Sequence, residues 1–245
     1  MRRNWTRTEL ILAINLYCKT PFGRIHNRNP EIIKLAKLID RTPSSVSYKL
    51  ANFASIDPSL PRKGASNVSK LDIDVWNEFF NDWEKLAFES EKLFSKHDNS
   101  RLAADIEIFP LEGYNRESVV KIRVNQAFFR KTVLASYNFK CCITGLSIAE
   151  LLVASHIIPW SKDEKNRLNP RNGLCLNALH DRAFDKGLIS ISEKFRIIVS
   201  NRLKDNVKSP EKELINKYDG QPISMPNRFL PDRKFLSYHR KNIFN

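Results

Sequence analysis

The sequence predicts an α+β chain with three parts: an all-helical N-terminal domain over 1–56, a linker with a long acidic connecting helix over 57–118, and a C-terminal domain over 119–245 built on a strand hairpin and a short helix. Three observations lead there. The first seventy residues hold capped segments of helical period, punctuated by Pro and Gly. Residues 72–96 place Val75, Trp76, Phe79, Phe80, Trp83, Leu86 and Leu93 at helical spacing. Residues 151–187 run from an apolar stretch through a polar loop and a second short apolar stretch into a helical pattern, and they carry His156, Asn172 and His180 in that order.

Composition narrows the function classes. The chain has 245 residues and a formal net charge of +14, enough length for one large or two modest domains. The charge is uneven: residues 1–70 carry +9, residues 71–118 carry −7 and residues 119–245 carry +12. Two basic bodies around an acidic connector fit a polyanionic partner. No apolar run is long enough to span a membrane, and the start of the chain leads into an amphipathic pattern, not a secretory core. A cytoplasmic protein is expected. Four cysteines without a CxxC pair argue against a disulfide framework and against structural zinc. Cys141, Cys142 and Cys175 read as small buried residues.

In the N-terminal domain, Thr6 and Glu9 form a capping box ahead of the stripe Leu10, Ala13, Ile14 and Tyr17. Asn29-Pro30 opens a second helix that runs to about Asp40, and Thr42-Pro43 opens a third that runs to about Phe53. Three short helices with a tight turn before the third resemble a helix-turn-helix module. That reading offers Ser45 and Lys49 of the third helix to DNA, with Ser44, Ser47 and Tyr48 beside them. A helical bundle used for packing or dimerisation is the competing reading. The aromatic stripe over 72–96 reads as core or partner surface, because its acidic face would repel phosphate. Residues 97–115, with Pro110 and Gly113, read as a second linker.

The C-terminal domain opens with an amphipathic helix over 124–137, with Phe128, Phe129 and Val133 inside and Arg130 and Lys131 outside. Pro159 stops the β-rich run 151–158. Asn172-Gly173 is a turn signal before the small strand 174–176. Asn177 suits the cap of a helix that has His180 at its third position, and Gly187 suits its end. A hairpin with a helix laid across it can aim His156 and His180 at one point. An imidazole of near-neutral pKa can take a proton from water, a second can hold a divalent ion, and an Asn can bridge loop backbone groups. Residues 188–192 and 196–200 read as another hairpin, and 233–244 as a basic amphipathic ending on the same core. His26, His97 and His239 have no partner pattern and read as surface or packing residues.

Four ordered blocks then resemble the HNH endonuclease motif and its ββα-metal fold, in the branch found in prokaryotic restriction-type nucleases. They are Cys142-Ile143-Thr144-Gly145, Ser155-His156-Ile157-Ile158-Pro159-Trp160, Asn172-Gly173-Leu174-Cys175-Leu176, and His180 with Phe184-Asp185-Lys186-Gly187. The resemblance extends from about Val124 to the end of the chain. It implies that His156 is the general base, that Asn172 shapes the loop or assists the metal, and that His180 is a metal ligand. Ser155 stands where many members have an Asp, Glu or His ligand, and Phe184 stands where some carry another His. The family pattern favours Asp185 as the second ligand. Asp181 is closer in angle, since Asp185 lies about 140° round an ideal helix from His180.

The resulting expectation is a metal-dependent endonuclease that hydrolyses DNA phosphodiester bonds with Mg²⁺ or Mn²⁺, in restriction or defence. Catalytic residues are His156 and Asn172, metal ligands are His180 and Asp185, and nucleic-acid contacts are Ser45, Lys49, Lys162, Arg167 and Arg171. DNA is the expected partner, a homodimer is compatible and a membrane is not. Two alternatives stay open at this point: a DNA-binding regulator whose ββα unit has lost its metal, and an RNA-directed nuclease.

Overall fold

The computed structural model describes residues 3–60, 65, 67–80, 82–97, 116–204 and 210–245. The chain divides into two compact units, Met1–Thr132 and Val133–Asn245. No helix among the described residues is long and apolar enough to cross a membrane.

The first unit is helical. Helix α1 spans Arg7–Lys19, and both bonds of the Thr6/Glu9 capping box are present. Helix α2 spans Pro30–Leu38 behind the Asn29 cap, and α3 spans Pro43–Ile56 behind the Thr42 cap. Pro at the first helical position of both has the right φ and no amide hydrogen left to satisfy. Asp40, between them, takes φ 52°, a value tolerated by a short polar side chain.

The acidic stretch departs from expectation. It forms two helices, α4 over Lys70–Phe80 and α5 over Trp83–His97. Asp82 makes the break: its amide closes onto the Phe79 carbonyl (3.0 Å) and its Oδ1 accepts from the Lys85 amide (3.0 Å), as a helix cap does. The aromatic stripe hides this, since Phe80 and Trp83 still meet edge to face across the break, 5.3 Å between centroids. Nor do these helices stand apart as a connector. Both pack on α1, and the Asn15 amide donates to Ser90 Oγ (2.6 Å) inside the unit. The core joins Tyr17 and Phe53 to Trp76, at 5.6 and 5.7 Å, and the Tyr17 hydroxyl donates to Asp57 Oδ2 (2.7 Å). The 97–115 linker lies outside the described residues, apart from His97 at the end of α5.

Helix α6, Arg116–Ser136, carries the boundary between the units. In the second unit β1 (Leu152–His156) pairs antiparallel with β2 (Gly173–Asn177), with His156 opposite Gly173 and Ser155 opposite Leu174. Helix α7 (Ala178–Asp185) packs on both strands through Ala183 and Phe184. Gly187 ends this element at φ +66°, where any Cβ would collide with the Ile243 carbonyl. A second hairpin, β3 (Ile189–Ile191) with β4 (Ile197–Val199), follows. The closing helix α8 (Arg233–Asn242) seals the core: His239 stacks on Phe184 at 3.7 Å between centroids and meets Ser190 Oγ through Nδ1 (2.9 Å). His239 is therefore a packing residue. The four cysteines are buried and none is in a disulfide.

Candidate functional site

The site is built on the loop between β1 and β2. Register alone places Asn172 beside the end of β1, and the Ile157 amide donates to the Asn172 carbonyl (2.9 Å). The Asn172 side chain, 1% exposed, then spans the loop. Its Oδ1 accepts from the Ile158 amide (2.8 Å), and its Nδ2 donates to the carbonyls of Ile158 (3.1 Å) and Asn166 (3.2 Å). Asn172 uses its donors and acceptor on backbone, so its visible role is bracing the loop. Asp163 caps the short turn Glu164–Asn166 within it.

This bracing presents the Arg167 carbonyl to His156, whose Nε2 lies 2.9 Å away. A carbonyl can only accept, so Nε2 carries the hydrogen and the lone pair sits on Nδ1. Burial pushes the His156 pKa down, with the Arg167 carbonyl opposing it. A neutral imidazole with its tautomer set in this way is suited to take a proton. The Trp160 ring stands edge-on at 5.6 Å.

His180 is fixed by the helix cap. Asn177 Oδ1 accepts from the His180 amide (2.9 Å) and meets the ring Nδ1 at 3.0 Å. The hydrogen is then on Nδ1 and the lone pair on Nε2. That Nε2 is buried, with no hydrogen bond of good geometry. The ring is 2% exposed and faces Tyr218 edge to face at 5.4 Å. Burial lowers its pKa, with the Leu214 main chain acting the other way.

The carboxylates of α7 differ in setting. Asp181 is half-buried and stands beside Ser155, the residue before His156; burial raises its pKa and the Ser155 hydroxyl lowers it. Asp185 is exposed, its pKa raised first by partial desolvation and then by the charge of Asp181. The hydroxyl of Ser155, itself buried, makes no hydrogen bond of regular geometry. Asp181 is thus the carboxylate next to the strand that carries His156, and its helical angle was the signal for it in the sequence. No group of three or more His, Cys, Asp or Glu side chains that could hold a metal ion is present among the described residues.

Residues 141–192 match the family model of the HNH endonucleases. The matched segment holds His156, Asn172, His180 and both α7 carboxylates, and it is narrower than the stretch from Val124 read from the motifs. No curated protein matches the chain.

The expected nucleic-acid contacts divide. Lys162 is exposed on the loop between β1 and β2. Arg167 is partly committed, with Nε on the Trp160 carbonyl (2.8 Å) and Nη2 on Glu164 (3.1 Å). Arg171 reaches Asp232 (3.1 Å). Ser45 is half-buried in the first turn of α3, its amide on Thr42 Oγ1 (3.2 Å). Lys49 is a correction: it is buried, and its ammonium meets both oxygens of Asp72 at 2.9 and 2.8 Å, so its charge is neutralised within the unit.

Proposed function

We propose that the protein is a metal-dependent endonuclease of the HNH type that hydrolyses DNA phosphodiester bonds. One observation carries the reading: within the segment that matches the HNH endonucleases, the carbonyl of Arg167 sets the tautomer of His156. In this mechanism Nδ1 takes a proton from water, the water oxygen forms a bond to phosphorus, and the bond from phosphorus to the 3′ oxygen breaks, that oxygen taking a proton from solvent. The products carry a 5′-phosphate and a 3′-hydroxyl. Asn172 acts through position, since its three bonds hold the loop that presents the Arg167 carbonyl.

The donor set fits a divalent ion. His180 Nε2 is a buried nitrogen with no hydrogen bond of good geometry, and α7 supplies two carboxylates, which are hard oxygen donors. His180 would hold the ion together with an α7 carboxylate; Asp181, beside Ser155, is better placed for it than the exposed Asp185. When bound, the ion supplies charge stabilisation at the scissile phosphate and the leaving oxygen. Lys162 and Arg171 border the loop as phosphate contacts, and the helical unit adds affinity or target choice. Restriction or defence is the role that fits such a nuclease.

The test is cleavage of supercoiled plasmid with Mg²⁺, Mn²⁺ or EDTA, with unmodified and modified DNA and RNA as substrates. Wild type should nick or linearise DNA only with metal. His156→Ala should lose about a hundredfold or more of the rate and keep DNA affinity, measured in EDTA, within about twofold of wild type. Cleavage by His156→Ala at the wild-type rate would overturn the base. Silence of the wild type on every substrate and metal would overturn the nuclease.

A further inference from the structure

The helical unit contains a groove of about 1170 Å³ that the nuclease chemistry does not use. It is walled by the N-terminal segment, the first half of α3 and the start of α4. Its volume exceeds the roughly 300–1,000 Å³ that accommodates a drug-sized ligand.

Three features define what it would take. The first is a buried acceptor without a donor. Asn52 is 2% exposed and lines the groove; its Nδ2 donates to the Asn67 carbonyl (2.8 Å), while its Oδ1 has no hydrogen-bond partner. A buried acceptor left unmade costs about 1–3 kcal/mol, so a ligand with an N–H to give recovers that. The second is aromatic surface. Tyr48 is 51% exposed at the groove, and the Trp5 ring lines it with the Arg41 guanidinium 4.2 Å from its centroid. The third is the placement of charge. Lys49 is paired with Asp72, so the floor offers no free cation to a phosphate. Arg3 and Arg41 share the carboxylate of Glu9 and Asp40 lines the same edge, so the cation of the lining left to meet a phosphate is Lys70, exposed at the start of α4.

A planar ring with N–H donors, attached to an anionic group that reaches Lys70, matches all three. We propose that this groove binds one unstacked nucleotide of a nucleic acid strand, with its base against Tyr48 and Trp5, an N–H on Asn52 Oδ1 and its phosphate toward Lys70. The inference rests on the reading of the chain as acting on nucleic acid. It goes beyond that reading by giving the helical unit a site for a single base instead of a helix laid along a duplex.

The experiment uses the full-length chain in EDTA, so that no cleavage intrudes, and follows the fluorescence anisotropy of a labelled 12-nucleotide strand and of the same sequence as a perfect duplex. The single strand should bind more tightly, because a duplex must first unstack the base. Tyr48→Ala should weaken strand binding about tenfold, the scale of one lost base–aromatic stack, and Tyr48→Phe should restore it. Asn52→Leu should weaken it similarly; should that variant unfold, the Tyr48 pair decides alone, since Tyr48 is exposed and outside the core. Wild-type affinity in Tyr48→Ala overturns the site. So does displacement of the strand by polyglutamate as readily as by unlabelled DNA, which would mark a general polyanion surface. Plasmid cleavage in Mg²⁺ separates the readings: cleavage with unaffected groove variants sinks the groove alone, and a wild type that neither cleaves nor binds sinks both.

Discussion

Replacing Asn172 by alanine removes three hydrogen bonds from a side chain that is 1% exposed. The Ile158 amide and the carbonyls of Ile158 and Asn166 lose their partner together. Each buried group left unpaired costs about 1–3 kcal/mol, and water reaching the loop returns part of that. The expected loss of stability is about 2–4 kcal/mol, confined to the second unit. The assay is urea unfolding followed by circular dichroism, with hydrogen exchange of residues 157–172 read alongside. Exchange should rise in that loop and stay unchanged in α1 and α3. Asn172→Asp keeps an acceptor for the Ile158 amide but turns a carboxylate oxygen toward two carbonyls, so it should be no better than alanine. Cleavage should fall in both variants, because the loop no longer holds the Arg167 carbonyl against His156, yet it should stay above the level of His156→Ala. Stability of Asn172→Ala within about 0.5 kcal/mol of wild type, with unaltered exchange, would refute the bracing role.

Three further outcomes follow from the same geometry. Lys49→Met or Asp72→Asn alone leaves a buried partner unmatched and should cost about 3–5 kcal/mol, while Lys49→Met with Asp72→Leu should recover most of it; equal losses in all three, by urea unfolding, would reject the pairing argument. Gly187→Ala should cost about 2 kcal/mol or more, since φ is +66° and the new Cβ meets the Ile243 carbonyl; a thermal midpoint equal to wild type would contradict the contact. His239, 1% exposed with its pKa lowered from 6.5 to about 4 by burial, is neutral in the fold. As pH falls below 6.5 the unfolded chain takes that proton first, so stability held above pH 6.5 is lost toward pH 4, on the order of 3 kcal/mol. His239→Gln should flatten that slope in unfolding measurements between pH 7 and pH 4.5.

Local chemistry made much of the fold legible. The capping box of α1, Asn29-Pro30 and Thr42-Pro43 each fix a helix start within a few residues of chain, and the structure begins α1, α2 and α3 there. Pro159, Asn172-Gly173, Asn177 and Gly187 mark the hairpin and α7 in the same way. Where the reading failed, a local signal was overridden or a partner was distant in sequence. The stripe from Trp76 to Trp83 keeps its helical period through the break at Asp82, so periodicity could not report the break. Lys49 looked like a surface cation because its neutralising carboxylate, Asp72, lies 23 residues away.

The proposed metal ligands show the same limit at the site. Spacing places His180 and Asp185 on one helix, but it cannot say which side of that helix faces the strand that carries His156. Packing decides it. The core takes the side bearing His180 and Phe184, and the Asn177 cap fixes the His180 ring there. The edge that meets β1 bears Asp181. Ser155 is too short to supply a carboxylate from the strand, and Asp181 brings one to the same place from the helix. An ion-binding measurement should therefore separate the two acids: Asp181→Asn should weaken Mn²⁺ binding by calorimetry about tenfold or more, while Asp185→Asn should change it little. The reverse order would return the ligand to Asp185 and would mean that the Ser155 contact is only a helix-to-strand packing bond.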